Sequence, residues 1–168
     1  MIKNLINISA LSIGYSNKLV MSNINISSNA NKMICLIGRN GQGKSTFLKT
    51  LAGLLNPISG NVSINDQNIF TLSEKERSKL VSIVLSKHLE IYNISVEEFI
   101  SFGRYPYTNW FGINSQIDST EIDKAIQFCN LDEFKLKNYT ELSDGEKQKV
   151  NIARALAQNT PFVILDEP

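Results

Sequence analysis

Residues 38–45, GRNGQGKS, match the pattern G-x-x-x-x-G-K-[ST], and residue types at this spacing do phosphate chemistry. Gly38, Gly41 and Gly43 let the backbone curl until successive N–H groups point inward at phosphate oxygens. A helix beginning at Lys44 adds the partial positive charge of its N-terminus. In that arrangement Lys44 meets the β- and γ-phosphates, Ser45 ligates Mg²⁺, and Asn40 and Thr46 complete the nucleotide contacts. An ordinary glycine-rich turn capping a helix is the bland alternative. The pattern arises by accident in roughly one chain of this length in a hundred or fewer, before any structural context is required.

A second candidate closes the chain. FVILDEP at 162–168 is an apolar strand that delivers two adjacent carboxylates to the mouth of a sheet. Ligands of parallel sheets gather at the carboxyl ends of strands. Asp166 is therefore placed to hold Mg²⁺ through its water shell, and Glu167 to orient and deprotonate an attacking water. Alone this signal is weak, because acidic residues commonly end strands.

The elements that must position these groups follow from periodicity. Alternating segments near 5–13 and 19–27 predict antiparallel strands with one wet face, and the apolar run MICLI at 33–37 predicts a buried strand leading into the glycine loop. The helix from Lys44 turns Phe47, Leu48, Leu51 and Leu54 or Leu55 inward and ends at Asn56-Pro57. Further strands are expected at 61–65 and 80–85, with a short helix in TLSEKERSK between them. The stretch 87–141 reads as a helical insertion, with a helix in SVEEFISFG, an aromatic loop YPYTNWFG, and an amphipathic helix from Ser119 to Cys129. From Ser143 a helix turns Val150, Ala153, Leu156 and Ala157 inward, and a hydrophobic strand follows.

Bulk composition narrows the surroundings. The chain has 168 residues, 42% of them apolar, which suits a domain with a substantial core. Seventeen basic against sixteen acidic residues leave a formal charge of +1, with no charge block that would mark a nucleic-acid or anionic-lipid surface. Cys35 and Cys129 show neither a metal pattern nor a disulfide framework, so reduced, buried thiols are expected. The N-terminus alternates like a strand, unlike a signal peptide, and no apolar run is long enough to span a bilayer, so any membrane association is expected through a partner.

LSDGEKQKVNIARALAQ at 142–158 resembles the signature motif of the ATP-binding-cassette (ABC) family, usually written LSGGQ, and its following helix. With GRNGQGKST at 38–46 and VILDEP at 163–168 in the family's order, the resemblance covers essentially the whole chain. It implies an α/β fold with a P-loop NTPase core of the RecA type. The expected sheet is mostly parallel, with an N-terminal antiparallel β part and a helical subdomain at about 87–139 between core segments 1–86 and 140–168. It also implies that two such domains pack head to tail as a homodimer. The signature of one, with Ser143 and Gly145 opening a helix whose amides are free for an anion, then closes over the γ-phosphate held by the loop of the other. Tyr15 occupies the place of the aromatic residue that stacks on adenine in the family; a tyrosine packed between two strands is the alternative.

The segment 81–112 further resembles importer ATPases serving iron-siderophore, haem and cobalamin permeases, through Val96, Glu98, Phe99, Gly103, Arg104 and Pro106. In that class the insertion receives a cytoplasmic helix of an integral membrane permease, which makes Tyr105, Tyr107, Trp110 and Phe111 either docking residues or the insertion's own core. The resemblance therefore implies an ATPase at the cytoplasmic face of the membrane, with permease partners and no nucleic acid. Cassette ATPases acting on nucleic acid or ribosomes are the rival, and the compact spacing between Lys44 and Leu142 lacks their coiled coils and tandem cassettes. A hydrolysis-deficient binding domain is a second rival.

Three departures stand out. Ser86 replaces the family's glutamine, Asp144 and Glu146 replace residues of LSGGQ, and His88, the only histidine, is not in the place of the histidine that contacts the γ-phosphate. The chain ends before the family's last core strands, which leads us to expect an unpaired sheet edge and an uncovered apolar face. The purified 168-residue chain is accordingly expected to be poorly stable and nearly inactive. Steady-state ATP turnover at typical transporter rates would refute this.

Overall fold

A computed structural model describes residues 4–15, 18–86, 91–108 and 115–167. They divide into two compact units, Met1–Val81 and Ser82–Pro168.

In the first unit the alternating segments pair as expected. Strand β1 (Asn4–Tyr15) lies antiparallel to β2 (Lys18–Asn29) and to β3 (Ser59–Ile64), and β3 pairs with the short β4 (Gln67–Asn68), giving the order β2-β1-β3-β4. The inward positions of β1 change phase, from Ile6 and Ile8 to Leu11 and Ile13, all buried. A strand of period two can do this only through an irregularity. Ala10 supplies it, with φ of 46° at a shift in register, and its N–H donates to Asn25 Oδ1 at 2.9 Å. Val62 and Ile64 of β3 face Ile8 and Ile6 across the ladder and are fully buried. Asn65 and Asp66, both at positive φ, turn the chain into β4, so residue 65 belongs to the turn and not to the strand.

Helix α1 (Lys44–Leu51) begins where the pattern placed it and buries Phe47 and Leu51 along with Thr46 and Thr50, while Leu54 lies outside the helix and is exposed. It ends earlier than the Asn56-Pro57 signal. Gly53 N donates to Thr50 O and Leu54 N to Lys49 O, the paired reverse bonds that close a helix on glycine.

The run 33–37 departs from expectation. It carries no ladder among the described residues, and Met33 (92%) and Ile37 (91%) are almost fully exposed. An apolar extended run becomes a buried strand only when neighbours supply hydrogen bonds on its edges and side chains on its faces. None of the described residues does so. Cys35 on this run is exposed, contrary to the buried thiol expected, and Cys129 is half-buried, its pKa raised by burial.

Strand β5 (Val81–Val84), all but its first residue in the second unit, lies beside β6 (Phe162–Leu165). Between them in sequence come α3 (Val96–Ser101), a 3-10 helix at Phe102–Tyr107, α4 (Gln116–Phe128) and α5 (Asp144–Ala157). A preceding short helix, α2 (Glu74–Arg77), belongs to the first unit. Helix α4 starts three residues before the expected Ser119, because Ser115 and Asp118 form a reciprocal cap. The core of this unit joins Val96, Phe99 and Ile100 of α3, Ile122 and Ile126 of α4, and Val150 and Ala153 of α5. Leu156, expected inward, packs partly buried against it. Tyr139 completes the core by stacking on Phe99 with ring centroids 4.4 Å apart, and its hydroxyl accepts from Asn151 Nδ2 at 3.2 Å.

Truncating a fully buried aromatic ring leaves a void that its neighbours fill only partly. Phe99→Ala is expected to destabilise the protein by about 3–5 kcal/mol, measured as a lowered denaturant midpoint with an unchanged slope.

Candidate nucleotide-binding site

Helix starts leave backbone donors without intrahelical partners, and this chain treats its helix starts in two ways. Helices α2, α3, α4 and α5 each open on a serine that caps the helix while an acid three residues on reaches back to it: Ser73 with Glu76, Ser95 with Glu98, Ser115 with Asp118, and Ser143 with Glu146. Helix α1 opens on Gly43, with no side-chain cap and no acid in its first turn. It is the one α-helix among the described residues built this way, and it is the one preceded by the glycine loop.

The loop geometry follows from two features. Gly43 sits at φ 93°, and a Cβ there would lie 2.2 Å from Val20 Cγ1, so only glycine fits between the loop and β2. Lys44 Nζ donates to Gly38 O at 2.9 Å and to Arg39 O at 3.1 Å, which folds the ammonium over the loop that precedes it. Arg39 N donates to Gln42 Oε1 at 2.9 Å, a contact the sequence pattern did not suggest. Thr46 Oγ1 donates to the Tyr15 hydroxyl at 3.4 Å, so Tyr15, half exposed, stands beside the start of α1. Gly38, Asn40, Gly41 and Ser45 belong to the same loop and helix start.

The second unit carries the other predicted residues. Ser143 is the N-cap of α5, and Gly145 lies in its first turn. The start of α5 is more occupied than expected. Ser143 N donates to Glu146 Oε2 at 2.7 Å, Ser143 Oγ donates to the same oxygen at 2.6 Å, and Glu146 N donates back to Ser143 Oγ at 3.4 Å. The Ser143 hydroxyl, then its backbone N–H, hold the Glu146 carboxyl below its ordinary pKa. The sequence predicts free amides at this start; Glu146 engages that of Ser143 and, through the Ser143 hydroxyl, its own, in a cap that glutamate at this spacing favours.

Asp166 is buried directly after β6, and its N–H donates to Val84 O at 2.9 Å, which ties the acidic pair to β5. Glu167 is exposed at φ 53°, a left-handed conformation that costs a non-glycine residue about 1–2 kcal/mol. Ser86 is exposed just after β5. His88, Trp110 and Phe111 lie outside the described residues. Tyr105 is 78% exposed, whereas Tyr107 lies beneath the Arg104 guanidinium at 3.9 Å.

The ABC transporter family model matches residues 21–168. The chain belongs to the ABC transporter family. An uncharacterized ABC transporter ATP-binding protein of Methanocaldococcus jannaschii is 41% identical over 94% of the chain and 54% of the relative. The iron(3+)-hydroxamate import ATP-binding protein of Bacillus subtilis is 35% identical over 94% of the chain and 59% of the relative. This ABC transporter chain thus spans a little over half the length of these curated relatives. A solved ATP-binding subunit of an ABC transporter superposes with a TM-score of 0.83 at 27% identity, covering 98% of this chain and 66% of that one. The expected P-loop NTPase fold class is therefore the observed one.

The close approach at Gly43 makes its substitution informative. Gly43→Ala is expected to weaken ATP binding by roughly tenfold or more, in line with about 1–2 kcal/mol of left-handed strain before the Val20 clash is counted. Titration of the full-length protein with a fluorescent ATP analogue measures it.

Proposed function

We propose that the full-length protein is the ATP-hydrolysing subunit of an ABC importer for an iron-siderophore, haem or cobalamin. The single observation that carries this reading is the start of α1 behind its glycine loop, which lacks the serine-and-acid cap of the other helix starts and so suits a phosphate. The import assignment draws support from the relative named for iron(3+)-hydroxamate import and from the 81–112 segment.

In this reading the amides of Gly41, Gly43, Lys44 and Ser45 cradle the phosphates, with Gly38 and Asn40 shaping the loop. Lys44 leaves the Gly38 and Arg39 carbonyls to neutralise the β- and γ-oxygens. Tyr15 stacks on the adenine, beside Thr46. Mg²⁺, when bound, neutralises developing phosphate charge. Ser45 would ligate the ion and Asp166 would hold it through its water shell. Glu167 accepts the proton of the attacking water, for which its exposed position after β6 suits it.

Ser143 and Gly145 of a second copy complete the site in a homodimer, and the Ser143–Glu146 contact has to open for the hydroxyl to turn toward a phosphate. We assign residues 1–86 and 140–168 to the core and 87–139 to a helical subdomain that meets an integral membrane permease through the exposed Tyr105 side, with Ser86 in the coupling loop. No helix among the described residues is long and apolar enough to cross a membrane. On the similarity to importer subunits, we place the protein peripherally, at the cytoplasmic face.

Glu167→Gln in the full-length protein is expected to lower ATP hydrolysis by about 10²–10⁴-fold while ATP binding changes little. Phosphate release and nucleotide titration measure the two, and equal hydrolysis rates would remove Glu167 from the mechanism.

A further inference from the structure

A buried ion pair in the second unit takes no part in nucleotide chemistry, yet it joins three elements at one point. Arg104 and Asp118 have side-chain exposures of 5% and 4%. Arg104 Nε donates to Asp118 Oδ1 at 2.8 Å, and its Nη1 donates to Ala157 O, the last residue of α5, at 2.9 Å. The other Asp118 oxygen accepts from Ser115 N at 2.8 Å and Ser115 Oγ at 2.6 Å, which closes the cap of α4. The guanidinium lies over the Tyr107 ring, two residues from exposed Tyr105. Contact is also direct between backbones: a Cβ on Gly103 would fall 2.2 Å from Arg154 O.

A planar guanidinium can make two hydrogen bonds in different directions and a stacking contact at once, which a lysine ammonium cannot. Arg104 thereby fixes the C-terminal end of the helix whose N-terminal end is Ser143, and it does so from within the aromatic 3-10 segment. We propose that Arg104 is a positioning residue that carries displacement of the Tyr105–Tyr107 segment into α5 and so into the Ser143 turn. This rests on the transporter reading above, in which a permease loads that segment.

The test compares ATP hydrolysis by the full-length subunit alone and in complex with its permease in lipid nanodiscs, together with melting temperature. Arg104→Lys keeps the charge and loses the two-way fork. The expected result is a roughly tenfold loss of permease stimulation, within the usual range of coupling between sites, with basal hydrolysis and melting temperature near wild type. A second variant, Arg104→Met with Asp118→Leu, replaces the pair by apolar side chains, a change that often preserves stability; stimulation should still be lost. Wild-type stimulation in either folded variant overturns the proposal, as does a parallel fall of basal rate, stimulated rate and melting temperature. Failure of both variants to fold assigns the pair to stability alone and overturns it equally. Absence of any stimulation in the wild-type complex would instead refute the transporter reading.

Discussion

A helix cannot satisfy its own first amides, and how this chain meets that requirement organises the molecule. Four helix starts are closed internally by a serine and an acid three residues on, and each has acid in its first turn, which also suits the positive end of the helix dipole. The start of α1 has glycine in the cap position and no acid. The contrast lies within one polypeptide and one solvent. It separates four helix starts that carry a serine-and-acid cap from one that does not.

This difference has a thermodynamic side. Four helices are capped from within by side chains, whereas α1 opens on Gly43 and takes no side-chain cap. Any anion held there stabilises the first unit by mass action. Lys44 rests on the Gly38 and Arg39 carbonyls, which accept from its ammonium. At α5 the balance is reversed. Glu146 closes the Ser143 turn and Asp144 adds a second carboxylate, so this start favours its own cap until a stronger acceptor competes.

Signals within a short window were read directly. The strands β1, β2 and β3, the onset of α1 at Lys44 and the whole of α5 follow from periodicity and cap residues, all local properties. Two further boundaries are also local: the Ser115–Asp118 box begins α4, and Gly53 ends α1 before Asn56-Pro57. The phase change at Ala10 was less accessible, because alternation on either side of it looks regular until the register with β2 and β3 is known.

By itself the sequence determined which motifs are present, in what order, and the family they point to, because a glycine loop, a capped helix and an acidic strand end are each written in consecutive residues. Only tertiary structure decided whether the apolar run 33–37 finds strand neighbours, and that Arg104, noted only as part of a pattern, is the buried tie between Asp118 and Ala157. Ladder pairing and the Arg104 tie depend on residues distant in sequence, outside any short window, whereas the Ser143–Glu146 cap joins residues three apart and is legible locally.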